Sequence, residues 1–320
     1  DMLTSSVIDP DEFETEREVI LEELARAQDD PDDALWERFA RTALGEHPLG
    51  RPIGGTPETI RATGRDAVWD YYRANYRSDR LVVTIAGAVD HERAARLLLE
   101  GLAAGGWPLE QAPPAARRDR EPVETAPVAR LAHLDRPMEQ CVLMLGGSGL
   151  RSSDERRYAL ALLHRILGGG MSSRLFQEVR ERRGLAYAVY SWATGGSDQG
   201  LNGMYLGCAP QRAAEAVRVL REQVERLVQD GVSAQELADA QSASAGASSL
   251  ALEDGDARMS RLGRAEIHLG EFTDLDAALE RTRAVDREQI LELARELFGR
   301  PQTAAAVGPL TDEARRELER

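Results

Sequence analysis

The sequence predicts an α+β protein made of two homologous domains, each with a mainly antiparallel sheet flanked by helices. The first domain is expected to be incomplete at its N-terminus. Three observations carry this prediction. Stretches of helical apolar spacing alternate with short strand-like apolar runs, a Pro-rich segment interrupts the chain, and a helix–strand unit that begins at Arg65 recurs at Arg287.

In chain order, residues 11–28 place Phe13, Val19, Ile20, Leu24 and Ala27 at helical spacing, with acids early, where the helix dipole favours them. Pro31 ends that run, and Trp36, Phe39 and Leu44 mark a second helix. The stretch GEHPLGRPIGGTPE (45–58) is too rich in Gly and Pro for a regular element. Residues 65–76 predict a helix, Leu81–Gly87 a buried strand, and 90–104 another helix. Between 107 and 127 lie Pro108, Pro113, Pro114, Pro122 and Pro127 among charges, the composition of a linker. This bounds a first domain at 1–106 and a second at 128–320. The second domain shows strands at 128–134, 140–146, 186–193, 201–208 and 303–307, with helices at 154–167, 173–183 and 210–230. In the repeat, Arg65 aligns with Arg287, Val68 with Ile290 and Tyr76 with Phe298, and Gly87 with Gly308 after one gap.

Composition excludes several classes of function. A hydrophobic content of 42% supports a packed core, and a net charge of -15 opposes nucleic-acid binding, since phosphates would be repelled. No apolar run reaches membrane-spanning length, so no membrane partner is expected. Every basic residue is arginine, and Cys141 and Cys208 sit in separate apolar runs, as buried free thiols would. That pattern suits a reducing compartment, the bacterial cytoplasm. The start, Asp1-Met2-Leu3, reads as the tail of an element begun earlier, so a cut or processed chain is expected.

Glu16 and Glu23 lie seven residues apart, close to two helical turns, which puts both carboxylates on one face. One could bind a divalent metal and the other could orient a histidine ligand, although acid pairs at this spacing also occur on solvated helices. His47, His91, His133, His164 and His268 lie in no HxxEH or HExxH pattern, and each is expected to be structural. Gly168-Gly169-Gly170 is followed by no GK[ST], so it reads as a sharp turn between helices, with Gly184 ending the next one. In VRERRGLAY, Arg180 reads as a helix-end cation and Tyr187 as a strand aromatic.

The runs ETEREVILEELARAQDDPDD, GEHPLGRPIGGTPETI, YYRANYRSDRLVVTIAGAVD, LGGGMSSRLFQEVRERRGLAYAVYSW and LEDGDARMSRLGRAEIHLGEF occur in one order along nearly the whole chain. Together they resemble the pitrilysin/insulinase family of zinc peptidases, the inverzincins, and within it the bacterial members similar to processing peptidases. The resemblance implies a zinc-dependent metalloendopeptidase acting on peptides or unfolded protein segments. It implies that Glu23 is the third zinc ligand, Glu16 its supporting carboxylate, and Arg180 and Tyr187 donors that reach the substrate backbone and the tetrahedral intermediate. In such sites three protein ligands leave one position for a water whose pKa the metal lowers. The two histidine ligands belong to an HxxEH helix preceding the glutamates, which this sequence lacks, so the chain alone is expected to be inactive. The resemblance also implies a homodimer, or a heterodimer with a related subunit. The alternative is a non-catalytic subunit or scaffold of the same fold, paired with an active peptidase.

Overall fold

The computed structural model describes residues 2–107, 109 and 121–320. Pro108, Pro113 and Pro114 of the expected linker lie outside the described residues. The helices of the first third are α1 (Pro10–Asp29), α2 (Pro31–Leu44), α3 (Pro57–Ala62), α4 (Arg65–Asn75) and α5 (His91–Ala104). After them come strands β1 (Leu131–Leu134) and β2 (Cys141–Ser148), helix α6 (Arg157–Gly168), and strands β3 (Ala188–Gly195) and β4 (Gly200–Cys208). The last third holds α7 (Ala213–Asp230), α8 (Ala234–Ala251), α9 (Gly255–Arg264), α10 (Leu275–Ala284), α11 (Arg287–Gly299), β5 (Thr303–Val307) and α12 (Asp312–Glu319). Contacts group the described residues of 27–52, 119–249 and 273–320 into one compact unit, and those of 1–26, 53–118 and 250–272 into another. Thus α2, which precedes the Pro-rich segment in sequence, folds with the sheet that follows it.

The sheet of the larger unit has the order β1-β5-β2-β4-β3. β1 runs parallel to β5, and every other neighbouring pair is antiparallel. Alternation along the strands divides the core between two faces. Cys141, Leu143, Leu145, Met204, Leu206, Cys208, Ala304 and Ala306 face one core, which also takes in buried side chains of α6, α7 and α11. Val142, Met144, Leu201, Tyr205, Ala305 and Val307 face a second core shared with α2. Helix α2 is amphipathic and buries Ala34, Leu35, Phe39, Ala40, Ala43 and Leu44. Burying a side chain such as Leu35 or Phe39 contributes about 1.5–3 kcal/mol. Pro31 opens this helix, and the Asp30 side chain accepts hydrogen bonds from the main-chain N–H groups of Asp32 and Asp33.

In the smaller unit, Arg17 of α1 closes the end of α3. Its guanidinium donates to the carbonyls of Ile60, Arg61 and Thr63, groups that a helix C-terminus leaves unpaired. Tyr72 donates to the Leu3 carbonyl at 2.9 Å and Arg65 to the Val7 and Ile8 carbonyls, which pins residues 3–8 to α4. One expectation fails here. Residues 81–87 form no strand, and Val82, Val83 and Ile85 are exposed. A strand exists by pairing its N–H and C=O groups with a neighbour, and no described segment of this unit offers one. The repeat therefore survives as a helix in both copies, α4 and α11, but as a strand only in the second, β5.

Candidate functional site

Glu16 and Glu23 both project from α1 and are exposed, and no residue of that helix is fully buried. Seven residues span about 10 Å along a helix axis, so the two carboxylates share a face but stand two turns apart. That spacing suits one metal ligand and one supporting group better than two ligands of one ion. Among the described residues, no three His, Cys, Asp or Glu side chains gather as a metal site. The described residues therefore do not fit zinc unaided, because a catalytic zinc site takes three protein ligands and no such group gathers among them.

Three of the five histidines are bonded or buried within the fold of the larger unit. His133 uses both ring nitrogens: Nδ1 accepts from Arg315 at 2.7 Å, which leaves Nε2 to donate to the Gly308 carbonyl at 2.8 Å. His47 accepts from the Leu49 N–H at 3.2 Å, capping a short turn, and its Nε2 lies 3.5 Å from Asp198. His164 is buried in α6, and burial pushes its pKa down to about 4. His91 and His268 are exposed on helical segments.

Arg180 and Tyr187 belong to the larger unit and flank one turn. Residues 176–181 form a π-helical turn, closed by the Arg182 N–H donating to the Gln177 carbonyl at 2.9 Å. Such insertions widen a helix and recur at functional sites. Glu178, on this turn, is clamped by Arg183 and Arg182, which hold its carboxyl below the usual range. Arg180 lies over the Phe176 ring at 4.9 Å from the centroid, with its side chain 46% exposed. The chain then reverses through Gly184, whose φ of 59° is the left-handed value that favours glycine. Tyr187 donates its N–H to the Gly207 carbonyl at 3.0 Å, immediately before β3.

Three groups absent from the sequence-derived set surround Tyr187: Gly207, which its ring overlies, and Tyr205 with its acceptor Asp32. Gly207 leaves room for the ring, since a Cβ there would sit 2.5 Å from Tyr187 Cζ. Tyr205, on the same strand face as Gly207, donates to Asp32 of α2 at 2.7 Å and has Tyr187 as a neighbour. Burial, reinforced by Asp32, pushes the Tyr205 hydroxyl well above the ordinary phenol range, so it stays protonated. Tyr205 also stacks on Tyr190, its direct cross-strand partner, with centroids 4.7 Å apart. Farther along the same face, Gly203 likewise lies under Trp192. The strand pattern Gly203-x-Tyr205-x-Gly207 contains a signal for this arrangement, because alternation puts all three on one face. Asp32 has no local signal, since it lies 173 residues from Tyr205. A guanidinium and a phenol hydroxyl are both hydrogen-bond donors, the kind of group that can face a developing oxyanion.

Residues 63–244 match the family description "Peptidase M16 inactive domain". A protein named as an uncharacterized zinc protease in Streptomyces coelicolor is 39% identical over 315 residues, which span 98% of this chain and 68% of the relative. The chain belongs to the M16 peptidase family. The family-matched stretch includes Arg180 and Tyr187 and begins after Glu16 and Glu23. A second M16 relative, named as uncharacterized zinc protease YmxG of Bacillus subtilis, is 32% identical over 309 residues, covering 97% of this chain and 73% of its own length. The solved peptidase M16 inactive domain from Pseudomonas fluorescens superposes with a TM-score of 0.80 at 21% identity, covering 97% of this chain and 73% of that one. A protease from Helicobacter pylori does so with a TM-score of 0.80 at 19% identity, covering 94% and 72%. At these identities the two structures bear on the fold of the M16 chain, an α+β sheet flanked by helices. Among the described residues, no helix is long and apolar enough to cross a membrane.

Proposed function

We propose that this M16 chain serves a zinc-dependent metalloendopeptidase that cleaves peptides or unfolded protein segments. In this reading Glu23 is a zinc-ligating carboxylate and Glu16 supports it, while Arg180 and Tyr187 are donors to the substrate. One observation carries the reading. Tyr187 is exposed, yet its ring rests over Gly207, beside the Tyr205 hydroxyl that donates to Asp32. Relatives named as zinc proteases at 39% and 32% identity support the reaction class. In this reading Glu23 is one of three ligands, and the two histidines of an HxxEH segment come from outside the described residues, which gather no metal group. Substrate held as an added strand is bound through its main chain, which gives loose sequence specificity. Assembly as a homodimer, or with a related subunit, belongs to the same proposal.

A second reading is a non-catalytic subunit or scaffold of the same fold. The lack of a three-ligand group among the described residues, and the match to an inactive-domain description, favour it. Purified chain 1–320 should neither retain zinc nor cleave a quenched fluorogenic peptide. The protein extended to the length of its relatives should do both. In that longer protein Glu23→Gln should strip zinc, measured by atomic emission, whereas Tyr187→Phe should lower kcat by roughly a hundredfold at unchanged zinc content. Full zinc content and turnover in Glu23→Gln would end the ligand assignment. An inert longer protein would leave the scaffold reading.

A further inference from the structure

Cys141 opens β2, Cys208 closes β4, and the two are direct cross-strand partners with sulfurs 3.8 Å apart. Both thiols are free and buried, on the sheet face that packs against α6, α7 and α11. They form the last rung of the β2–β4 ladder. β5 pairs with β2 only from Val142 onward, and β3 pairs with β4 only as far as Gly207, so neither flanking strand reaches this rung. A terminal rung opens more readily than the middle of a sheet.

Directly opposed residues of an antiparallel pair stand about 4.5–5.5 Å apart at Cα, inside the range of about 4.4–6.8 Å that a disulfide spans. Side-chain rotation therefore suffices to bring the sulfurs from 3.8 Å to a bonding distance of about 2.05 Å. Larger adducts do not fit. Gly308, just after β5, lies so close that a Cβ there would sit 3.3 Å from Cys141 Cβ. A bulky mixed disulfide has no room in this core, whereas a bond between the two sulfurs needs no added volume. Burial also keeps both thiols from dissolved oxidants in the closed fold, so reaction passes through an opened rung or an unfolded chain.

We propose that Cys141 and Cys208 are a disulfide-forming pair, oxidised by a small-molecule disulfide while the rung is open and sealed in the core when it closes. One thiolate attacks the small disulfide, forming a mixed disulfide and releasing one thiol. The second thiolate attacks the protein sulfur of that bond and releases the other thiol. Two cysteine thiols are thereby oxidised as one external disulfide is reduced to two thiols. The site is independent of the peptidase reading. The test refolds reduced, urea-unfolded chain 1–320 in glutathione disulfide and reads the intact mass. The product should weigh about two mass units less than the reduced chain, with no glutathione attached. It should unfold at a urea midpoint roughly 1–2 M above that of the reduced chain, because the bond joins residues 67 apart in sequence. In the folded, reduced chain the same reagent should form the bond about a hundredfold more slowly. Cys208→Ala should gain nothing in midpoint from the same treatment. Two free thiols after refolding, a stable glutathione adduct, a midpoint no higher than that of the reduced chain, or equal rates in folded and unfolded chain overturns the proposal.

Discussion

Mild acid should destabilise the sheet-containing unit through His164, in a window set by that residue's burial. The side chain points into the core from α6, with a relative exposure of 6%, and neither ring nitrogen has a hydrogen-bond partner among the described residues. Burial lowers its pKa from 6.5 to about 4. A depressed histidine pKa means that the unfolded chain takes up the proton first. The neutral ring is therefore fully compatible with the fold above pH 6.5, and stability is lost as pH falls from there toward 4. Linkage between these two values gives a loss of about 2 kcal/mol at pH 5 and about 3 kcal/mol at pH 4, relative to pH 8. Urea unfolding at pH 8, 6 and 5 measures it. His164→Leu, which places an apolar side chain in an apolar site, should flatten the profile by about 2 kcal/mol between pH 8 and pH 5. Glu236 does not confuse this window. Burial alone would raise its carboxyl, but the Arg174 hydrogen bonds prevail and hold it at about 2, so its contribution is lost only below pH 4.5. Parallel pH profiles for the native chain and His164→Leu would refute the reasoning.

Gly207→Ala should push the Tyr187 ring aside, because the new Cβ would start 2.5 Å from Cζ. In the longer protein we expect turnover to fall by roughly ten- to a hundredfold, with no further loss when Tyr187→Phe is added, as a double-mutant cycle would read. Tyr205→Phe should act in the same direction but more weakly, because it removes the hydrogen bond to Asp32 beside Tyr187 and keeps the stack on Tyr190. Cys141 and Cys208 face each other across β2 and β4 with sulfurs 3.8 Å apart, and both are buried and free. An aromatic disulfide reagent should find no reactive thiol in the native chain and both thiols after denaturation. Phe39→Ala should cost about 3–5 kcal/mol in urea unfolding, since Phe39 is fully buried between α2 and the sheet.

Local signals sufficed where an element's partners are close in the chain or dictated by alternation. Residues 303–307 read as a strand and form β5, and the expected helix at 210–230 became α7 from Ala213. Gly184 reads as a helix stop and adopts the left-handed backbone expected there. Segment 81–87 has the same apolar pattern as a buried strand, yet a pattern states only a preference. The hydrogen-bonding neighbour that would complete it is absent from the described residues of its unit.

The residue order alone determined that Glu16 and Glu23 share a helix face, because helical periodicity is local, and it carried the family resemblance that the relatives bear out. It also placed Arg180 and Tyr187 on either side of a glycine turn. Only the tertiary structure decided what surrounds them. Tyr187 rests over Gly207, beside Tyr205 and its acceptor Asp32, groups that a sheet register and the docking of α2 bring together. Such sites depend on which faces pack, and packing is a property of the whole chain.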